Sequence, residues 1–445
     1  MEFEAATAWL YAQTPQFERI GAAAYKPGLQ TVIRLAEAFG NPHHKYKIIH
    51  VAGTNGKGST SHTLAAVLQQ AGYRVGLYTS PHLVDFRERM RINGQMIPRQ
   101  AVGDFVERYL AMNLGLEPSF FELTTVMAFE WFVRENVDVA IVEVGLGGRL
   151  DSTNIISPEL DVITNISKDH CAQLGDTLRE IAHEKAGIMR ESIACICGEP
   201  SEEIRGYLAE EAGVHRTPLL FAPKEIPPAL FRHIGNDLII SHTPFGTLNY
   251  QLTAEYQHEN ALTVMAAILQ LRRQGWNIPD SAVKSGFAGV CTLTGLAGRW
   301  MKIADSPLTI ADTGHNIGGW RHLAPLIAAL PKPLTVVLGF ADDAHLERRA
   351  HAVERQLQGE PPVRPERHGP RLGHLAARRE HRLACRRTLP EGGAAHFHRK
   401  CLLRRRRVRP CLRDIGLQRF EARRQRRHAL RVVLGGLVLQ RVLLR

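Results

Sequence analysis

The sequence predicts an α/β fold, a mostly parallel sheet of the P-loop ATPase kind followed by a smaller, truncated α/β domain. Three observations carry this. The apolar run Ile48-Ile49-His50-Val51 leads into a glycine-rich loop and then a helical pattern. Strand-like and helix-like runs alternate down to about residue 340. The polar clusters Gly53–Ser59, Ser80–His82, Glu143–Asp151 and Asp169–His170 all fall at the carboxyl ends of predicted strands, where open parallel sheets bind ligands.

In chain order, residues 2–40 read as helix, turn and helix, broken at Ala24-Tyr25-Lys26-Pro27-Gly28. The loop Gly53-Thr54-Asn55-Gly56-Lys57-Gly58-Ser59 follows the first strand. Its glycines let backbone N–H groups converge on phosphate oxygens, the helix start adds partial positive charge, and Lys57 adds a full one. The spacing is not G-x-x-x-x-G-K-[ST]: Val51 stands at the first glycine position and Gly58 separates Lys57 from Ser59. A second strand, 73–78, ends in Thr79-Ser80-Pro81-His82, and a charged segment, 85–94, turns at Asn93-Gly94. A helix over 123–136 and a strand over 137–144 run into Gly145-Leu146-Gly147-Gly148-Arg149. The strand 161–166 precedes Ser167-Lys168-Asp169-His170, and a helix over 176–190 takes Asp176 as N-cap. Residues 195–197 read as buried strand, 232–252 as a hairpin and 257–273 as a helix. The pattern restarts around Gly298-Arg299-Trp300, with strands at 308–311 and 334–338 around a helix over 318–330.

The 445 residues suffice for two or three domains, and no apolar stretch approaches the roughly 20 residues a bilayer crossing needs. The N-terminus MEFEAATAWL has no basic flank, and the seven cysteines are odd in number and irregularly spaced. A cytoplasmic protein with reduced thiols is expected. The net charge of +12 conceals two compositions: residues 1–340 carry −5, whereas residues 341–445 carry +17, with 26 of 27 cations arginine.

A phosphate loop works with a divalent cation. Ser80, Glu143 and His170 end three different predicted strands and offer hydroxyl, carboxylate and imidazole, a set that suits Mg²⁺ with its retained waters. The plainer readings are a hydrogen-bonded loop histidine for His170 and a salt bridge to Arg149 for Glu143.

The motifs VAGTNGKGST, YTSPHLVDFRERMRING, SFFELTT, DVAIVEVGLGGRLDSTN, ITNISKDH, LGDTLREIAHEKAGI, GRW and DTGHNIGG occur in this order. Over residues 1 to about 340 the chain resembles the folylpolyglutamate synthase / dihydrofolate synthase family, kin of the Mur ligases. The resemblance implies a Mur-ligase-like central domain and ATP-dependent ligation of L-glutamate to dihydropteroate, to a (tetrahydro)folyl-glutamate, or to both, through an acyl phosphate. It implies ATP binding by Thr54, Asn55, Gly56, Lys57, Gly58, Ser59, Asn260, Arg299 and Asp312. Ser80, Glu143 and His170 would ligate Mg²⁺, with a second metal served by a carbamylated Lys185. Arg89 and His315 would hold the incoming glutamate. The pterin-side substrate would meet Lys26, Pro27, Gly28, Leu29, Ser119, Phe120, Phe121, Glu122, Leu150, Asp151 and Ser152. Lys57, Lys185 and His170 are the expected catalytic set. The expected partners are small molecules only, with no nucleic acid, no membrane and a monomeric chain.

The expected organisation is an ATP-binding ligase domain over 1–296, the start of a glutamate-ligase domain over 297–340, and an aberrant tail over 341–445. Three departures from the family pattern stand out: Lys168 replaces an apolar residue, Ile317 replaces a frequent proline, and the Asp-Lys-Asp segment after Phe340 is missing. The tail has no Tyr, Trp, Met or Asn, and one Lys, Lys400. That composition reads as an out-of-frame stretch of a GC-rich gene, expected to be unstructured and to leave the strand 334–338 with an exposed edge. The competing functions are a Mur-type ligase acting on a UDP-linked sugar peptide and a nucleotide-dependent nucleic-acid-binding protein using the arginines. LGGRLDSTN and SFFELTT favour the folate branch over the first, as does the lack of an added N-terminal UDP-binding domain. A salt-dependent gel shift tests the second.

Overall fold

The computed structural model describes residues 1–13, 28–198, 201–234, 237–331, 334–338, 385–389 and 430–434. It divides into two units, Met1–Ala297 and Gly298–Arg445. Among the described residues no helix is long and apolar enough to cross a membrane.

The first unit is built on eight strands: β1 (Lys47–Ala52), β2 (Val75–Tyr78), β3 (Met90–Ile92), β4 (Gln95–Met96), β5 (Val139–Glu143), β6 (Leu160–Ile163), β7 (Cys195–Cys197) and β8 (Leu219–Phe221). Their order is β4-β3-β2-β5-β1-β6-β7-β8. The six from β2 to β8 are parallel, and β3 and β4 add antiparallel strands at one edge. The β3–β4 turn is made by Asn93 and Gly94, both at positive φ, the geometry a two-residue hairpin needs.

Alternation along β1 sends Ile49 and Val51 to one face and Ile48 to the other. The first face packs on α3 (Lys57–Gln70) and α8 (Gln257–Arg273), and the second on α1 (Phe3–Gln13), α2 (Gln30–Ala38), α4 (Arg99–Met112) and α5 (Phe120–Arg134). A third core lies under α6 (Leu178–Ala186) and α7 (Glu202–His215), against Ala52, Ile163, Cys195 and Cys197. Both faces are covered, so the central strands read as near-continuous apolar runs.

The helix over 178–186 is capped by Thr177, not Asp176: Thr177 accepts from Glu180 N, and Glu180 accepts back from Thr177 N at 2.9 Å. The segment read as a hairpin is three antiparallel strands, β9 (Leu230–Ile234), β10 (Asp237–Thr243) and β11 (Gly246–Tyr250).

The second unit holds β12 (Met301–Asp305), β13 (Leu308–Asp312), α9 (Ile317–Ala328), β14 (Leu334–Leu338), β15 (Cys385–Leu389) and β16 (Leu430–Leu434). Its sheet order is β12-β13-β16-β14-β15. The expectation of an exposed edge at 334–338 is therefore corrected. β14 pairs in parallel with β16, Val336 opposite Val432, and antiparallel with β15, Val336 opposite Arg387. Leu430, Val432, Val433 and Leu434 give this stretch enough apolar content for a strand between two others despite Arg431, and the surrounding arginines masked that signal. The remainder of 341–445 lies outside the described residues. Ile317, in place of the family proline, is the first residue of α9 behind its N-cap Asn316, a position that accepts either residue.

Candidate active site

The end of β1 turns through Gly53–Gly56 into α3, so the first-turn N–H groups of that helix face the loop. Gly56 sits at φ +84°, and a Cβ there would lie 2.1 Å from Asn260 Oδ1. Only glycine fits both constraints. Lys57 folds back over the loop, donating to the carbonyls of Gly53 at 3.0 Å and Thr54 at 3.3 Å.

The segment after β6 clamps the loop from the other side. Asn55 N donates to Asn165 Oδ1 at 2.9 Å, and Thr164 Oγ1 donates to the Asn55 carbonyl at 2.5 Å. Thr54 Oγ1 donates to the Ser167 carbonyl at 3.1 Å and accepts from Ser167 N at 3.0 Å. On the helix side, buried Gln257 donates to Ser59 Oγ at 3.2 Å and accepts from Asn260 Nδ2 at 2.8 Å. Asn165, Ser167 and Gln257 escaped the sequence reading. The polar string TNISKDH after an apolar strand was the available signal for the first two.

Lys185, on α6, is buried and donates to the Gly53 carbonyl at 3.0 Å. Burial, reinforced by the nearby charge of Lys57, lowers its pKa from 10.5 to about 7. Burial thus favours the neutral amine, lodged against the phosphate loop.

Two of the three expected metal ligands, Ser80 and Glu143, lie at the ends of the neighbouring strands β2 and β5, while His170 lies in the loop seven residues past β6, with β1 between β5 and β6. Glu143, 3% exposed, closes β5 opposite Val51. Tyr78 on β2 is opposite Val142, which puts Ser80 two residues past that row. His170 stands at φ +49°, its backbone N donating to Asp169 Oδ1 at 2.9 Å. Lys168 is exposed. The alternative salt bridge of Glu143 is not the one formed: Arg149 pairs with Glu184 at 2.7 Å. A carboxylate, a hydroxyl and an imidazole are donor types that suit Mg²⁺.

The loop Gly145–Asn154 is a fixed block. Asp151, 4% exposed, accepts from Leu146 N at 2.8 Å, Thr153 N at 3.0 Å and Thr153 Oγ1 at 2.5 Å. Burial raises the pKa of its carboxyl against the pull of these bonds. Leu150 is half-buried and Ser152 opens the short helical turn that Asp151 caps. Gly148 and Gly187 let this loop press on the end of α6: a Cβ on Gly148 would lie 2.8 Å from the Glu184 carbonyl oxygen, and one on Gly187 2.3 Å from Arg149 Cβ.

Arg89 is buried, donates to His82 Nδ1 at 2.8 Å and lies 5.1 Å from the Phe120 ring centroid. Burial and that guanidinium lower His82 to about 3, so the imidazole is neutral. Ser119 and Glu122 form a capping box at the start of α5, with Phe120 buried and Phe121 half-buried beside them. Tyr11 stacks on Phe120 at 5.6 Å, a contact the sequence did not disclose. Gly28 and Leu29 precede α2, and Leu29, Asn154 and Ile155 border a cavity of about 340 Å³. Lys26 and Pro27 lie outside the described residues.

In the second unit, Asp312 at the end of β13 accepts from Trp300 N and Gly314 N, both at 2.7 Å. It thereby ties Gly298-Arg299-Trp300 to Thr313-Gly314-His315. Arg299 donates to the Gly298 carbonyl at 3.1 Å and to Thr313 Oγ1. His315 is exposed, with Nδ1 2.9 Å from the Thr313 carbonyl.

Residues 51–197 match the family model of the Mur ligase middle domain. The dihydrofolate synthase/folylpolyglutamate synthase of Escherichia coli K12 is 36% identical over 319 residues, spanning 71% of this chain and 72% of the relative. Among solved structures, an FPGS–AMPPCP–folate complex superposes with a TM-score of 0.70 at 29% identity, covering 81% of this chain and 87% of that one. Escherichia coli FolC in complex with DHPP and ADP gives 0.71 at 26% identity, covering 100% and 97%.

Proposed function

This chain belongs to the folylpolyglutamate synthase/dihydrofolate synthase family, and from that premise we propose how its residues divide the work of ligation. It is an ATP-dependent ligase that joins L-glutamate to a folate-type carboxylate. The γ-phosphoryl group of ATP passes to an oxygen of the acceptor carboxylate, releasing ADP and giving an acyl phosphate. The glutamate amine then attacks the acyl carbon, the C–O bond to phosphate breaks, and the amine proton leaves with the departing phosphate or to water.

Phosphoryl transfer is positioning and charge neutralisation. The loop N–H groups from Thr54 to Ser59, the α3 N-terminus and Lys57 supply the fixed part. Asn260, held by Gln257, completes the nucleotide side in the first unit, and Arg299 and Asp312 do so in the second. Ser80, Glu143 and His170 would hold Mg²⁺, which would offset the negative charge of the phosphates. Lys185 in its neutral form would add CO₂ at Nζ, losing a proton and gaining a carboxylate suited to a second metal. Arg89 and His315 would receive glutamate, and Gly28-Leu29, Ser119–Glu122 and Leu150–Ser152 the pterin-bearing acceptor, with Lys26 and Pro27. The chain would act as a monomer on small molecules, in the cytoplasm.

The observation that carries this reading is the meeting of Lys185 with the phosphate loop at Gly53, beside a loop of folate-branch sequence fixed to the same helix. The test is phosphate release from ATP with glutamate and either dihydropteroate or tetrahydrofolate. Release that requires both glutamate and one of these acceptors is expected, and which of them works sets the specificity. Release indifferent to both acceptors overturns it.

A further inference from the structure

His50 is a polar residue within the buried core of β1 and is fully buried. Its Nε2 lies 2.9 Å from Thr153 Oγ1. The Thr153 hydroxyl donates its hydrogen to Asp151 Oδ1, so the histidine is the donor and its Nε2 carries the proton. Nδ1 is then a bare lone pair, 3.8 Å from Oδ1 of Asp161, its register partner on β6. Asp161 is 0% exposed, and among the described residues neither of its oxygens accepts a hydrogen bond. Burial pushes its carboxyl up to about 8 and holds His50 well below 6.5, favouring the uncharged form of each.

Arg190 closes the cluster. One guanidinium nitrogen is 3.7 Å from Asp161 Oδ1, and the other donates to Asn154 Oδ1 at 2.7 Å. Asn154 in turn donates to the Gly187 carbonyl at 2.9 Å, two residues beyond Lys185. A buried polar group without full hydrogen bonding is costly, so an apolar residue at position 50 would suit the strand better. Ligation as derived above uses neither His50 nor Asp161. Their contacts converge on Thr153 and Asn154, which end the loop assigned to the acceptor.

On the reading that Leu150–Ser152 meets the pterin-bearing substrate, we propose that His50 is a positioning residue for that acceptor. It fixes Thr153, through Thr153 the Asp151 carboxylate, and through Asp151 the loop Leu146–Ser152. The strand that enters the phosphate loop thus also sets the acceptor loop, and one rigid element serves both substrates.

The test uses the full chain. Thr153→Val keeps the volume and removes the hydroxyl, Thr153→Ser keeps the hydroxyl, and His50→Gln offers an amide donor near the Nε2 position. Thr153→Val should weaken equilibrium binding of the acceptor, dihydropteroate or folate, about tenfold, the scale of one buried hydrogen bond. Acceptor KM should rise to match, with KM for ATP within about twofold of the parent, and trypsin should cut faster after Arg149. Thr153→Ser and His50→Gln should keep parent behaviour on all these measures, whereas His50→Leu, which removes only the donor to Thr153, should weaken acceptor binding as Thr153→Val does. A lowered Tm with unchanged acceptor affinity and unchanged cleavage after Arg149 overturns the proposal, as does equal weakening of ATP and acceptor. If Thr153→Val does not fold, Thr153→Ala is compared with Thr153→Ser, and equal acceptor affinity in the two overturns it. If the parent binds neither acceptor, the functional reading fails instead, and faster cleavage after Arg149 in His50→Leu than in His50→Gln, both of which keep the Thr153–Asp151 bond, decides whether His50 holds the loop.

Discussion

Lys57 and Lys185 donate to the same oxygen, the carbonyl of Gly53, each at 3.0 Å. Two cations from separate helices on one acceptor are an electrostatic conflict, resolved in the structure by the lowered pKa of the more buried one. The arrangement defines the first prediction. Lys57→Ala is expected to cut ligation by about 10²-fold or more, the scale for removing a preorganised charge. Steady-state turnover at saturating ATP measures it, and near-normal turnover would remove the phosphate-loop assignment.

Lys185 carries a pH prediction. Its folded pKa of about 7 lies below the unfolded 10.5, so in that window the unfolded chain holds the extra proton. Stability therefore rises with pH from about 7 to 10.5, by at most ~1.4 kcal/mol per unit, and the penalty is complete below 7. Asp161, raised from 3.8 to about 8, works the other way over its own window. The difference between parent and Lys185→Met in urea melts, run in CO₂-free buffer, isolates the lysine. A slope unchanged by the substitution contradicts the burial argument.

Carbamylation is tested separately. With ¹³C-labelled bicarbonate the parent should give a carbamate carbon signal that Lys185→Arg lacks. Degassed enzyme should lose activity and recover it on adding bicarbonate.

For the metal, Glu143→Gln and His170→Ala should each raise the Mg²⁺ concentration needed for half-maximal activity sharply, since a site keeping several waters has few protein ligands to lose. Unchanged Mg²⁺ saturation in both variants means a different ligand set.

Much of the first unit was legible because parallel strands buried on both faces announce themselves as apolar runs, and a glycine loop between strand and helix marks the anion site. Thr177 was missed as N-cap because Asp176, one residue earlier, is an equally good capping type, and only the Glu180 contact separates them. His50 was visible as a polar interruption in an apolar strand, but its partner Thr153 is a hundred residues away and no local pattern links them. Arg89 is assigned to the incoming glutamate only through the family resemblance, and its stacking on Phe120 and bond to His82 depend on tertiary packing. The strand at 430–434 was hidden by composition: Val432 and Val433, with Leu430 and Leu434 on either side, are swamped by the arginines around them.

Those two late strands yield a prediction of their own. Truncation after Leu338 removes both neighbours of β14 and one of β13. It should abolish the melting transition of the second unit and leave that of the first nearly unchanged, as read by calorimetry. Two intact transitions in the truncated chain would mean that β15 and β16 contribute nothing. At the level of the gene, translating the codons past 340 in the two other frames should restore an Asp-Lys-Asp segment in one of them. Neither frame doing so contradicts the frameshift reading.

The interlock of Gly148 with Glu184 and of Gly187 with Arg149 constrains how this protein can be re-engineered. Exchanging the acceptor loop for that of another ligase, to change which carboxylate is accepted, cannot be done as a single cassette. Side chains that a foreign loop brings against the Glu184 backbone would push on the helix that carries Lys185, and so on the oxygen it shares with Lys57. A working chimera has to import residues 184–190 along with 145–154, because selectivity for the acceptor and alignment of the phosphate loop are inherited together.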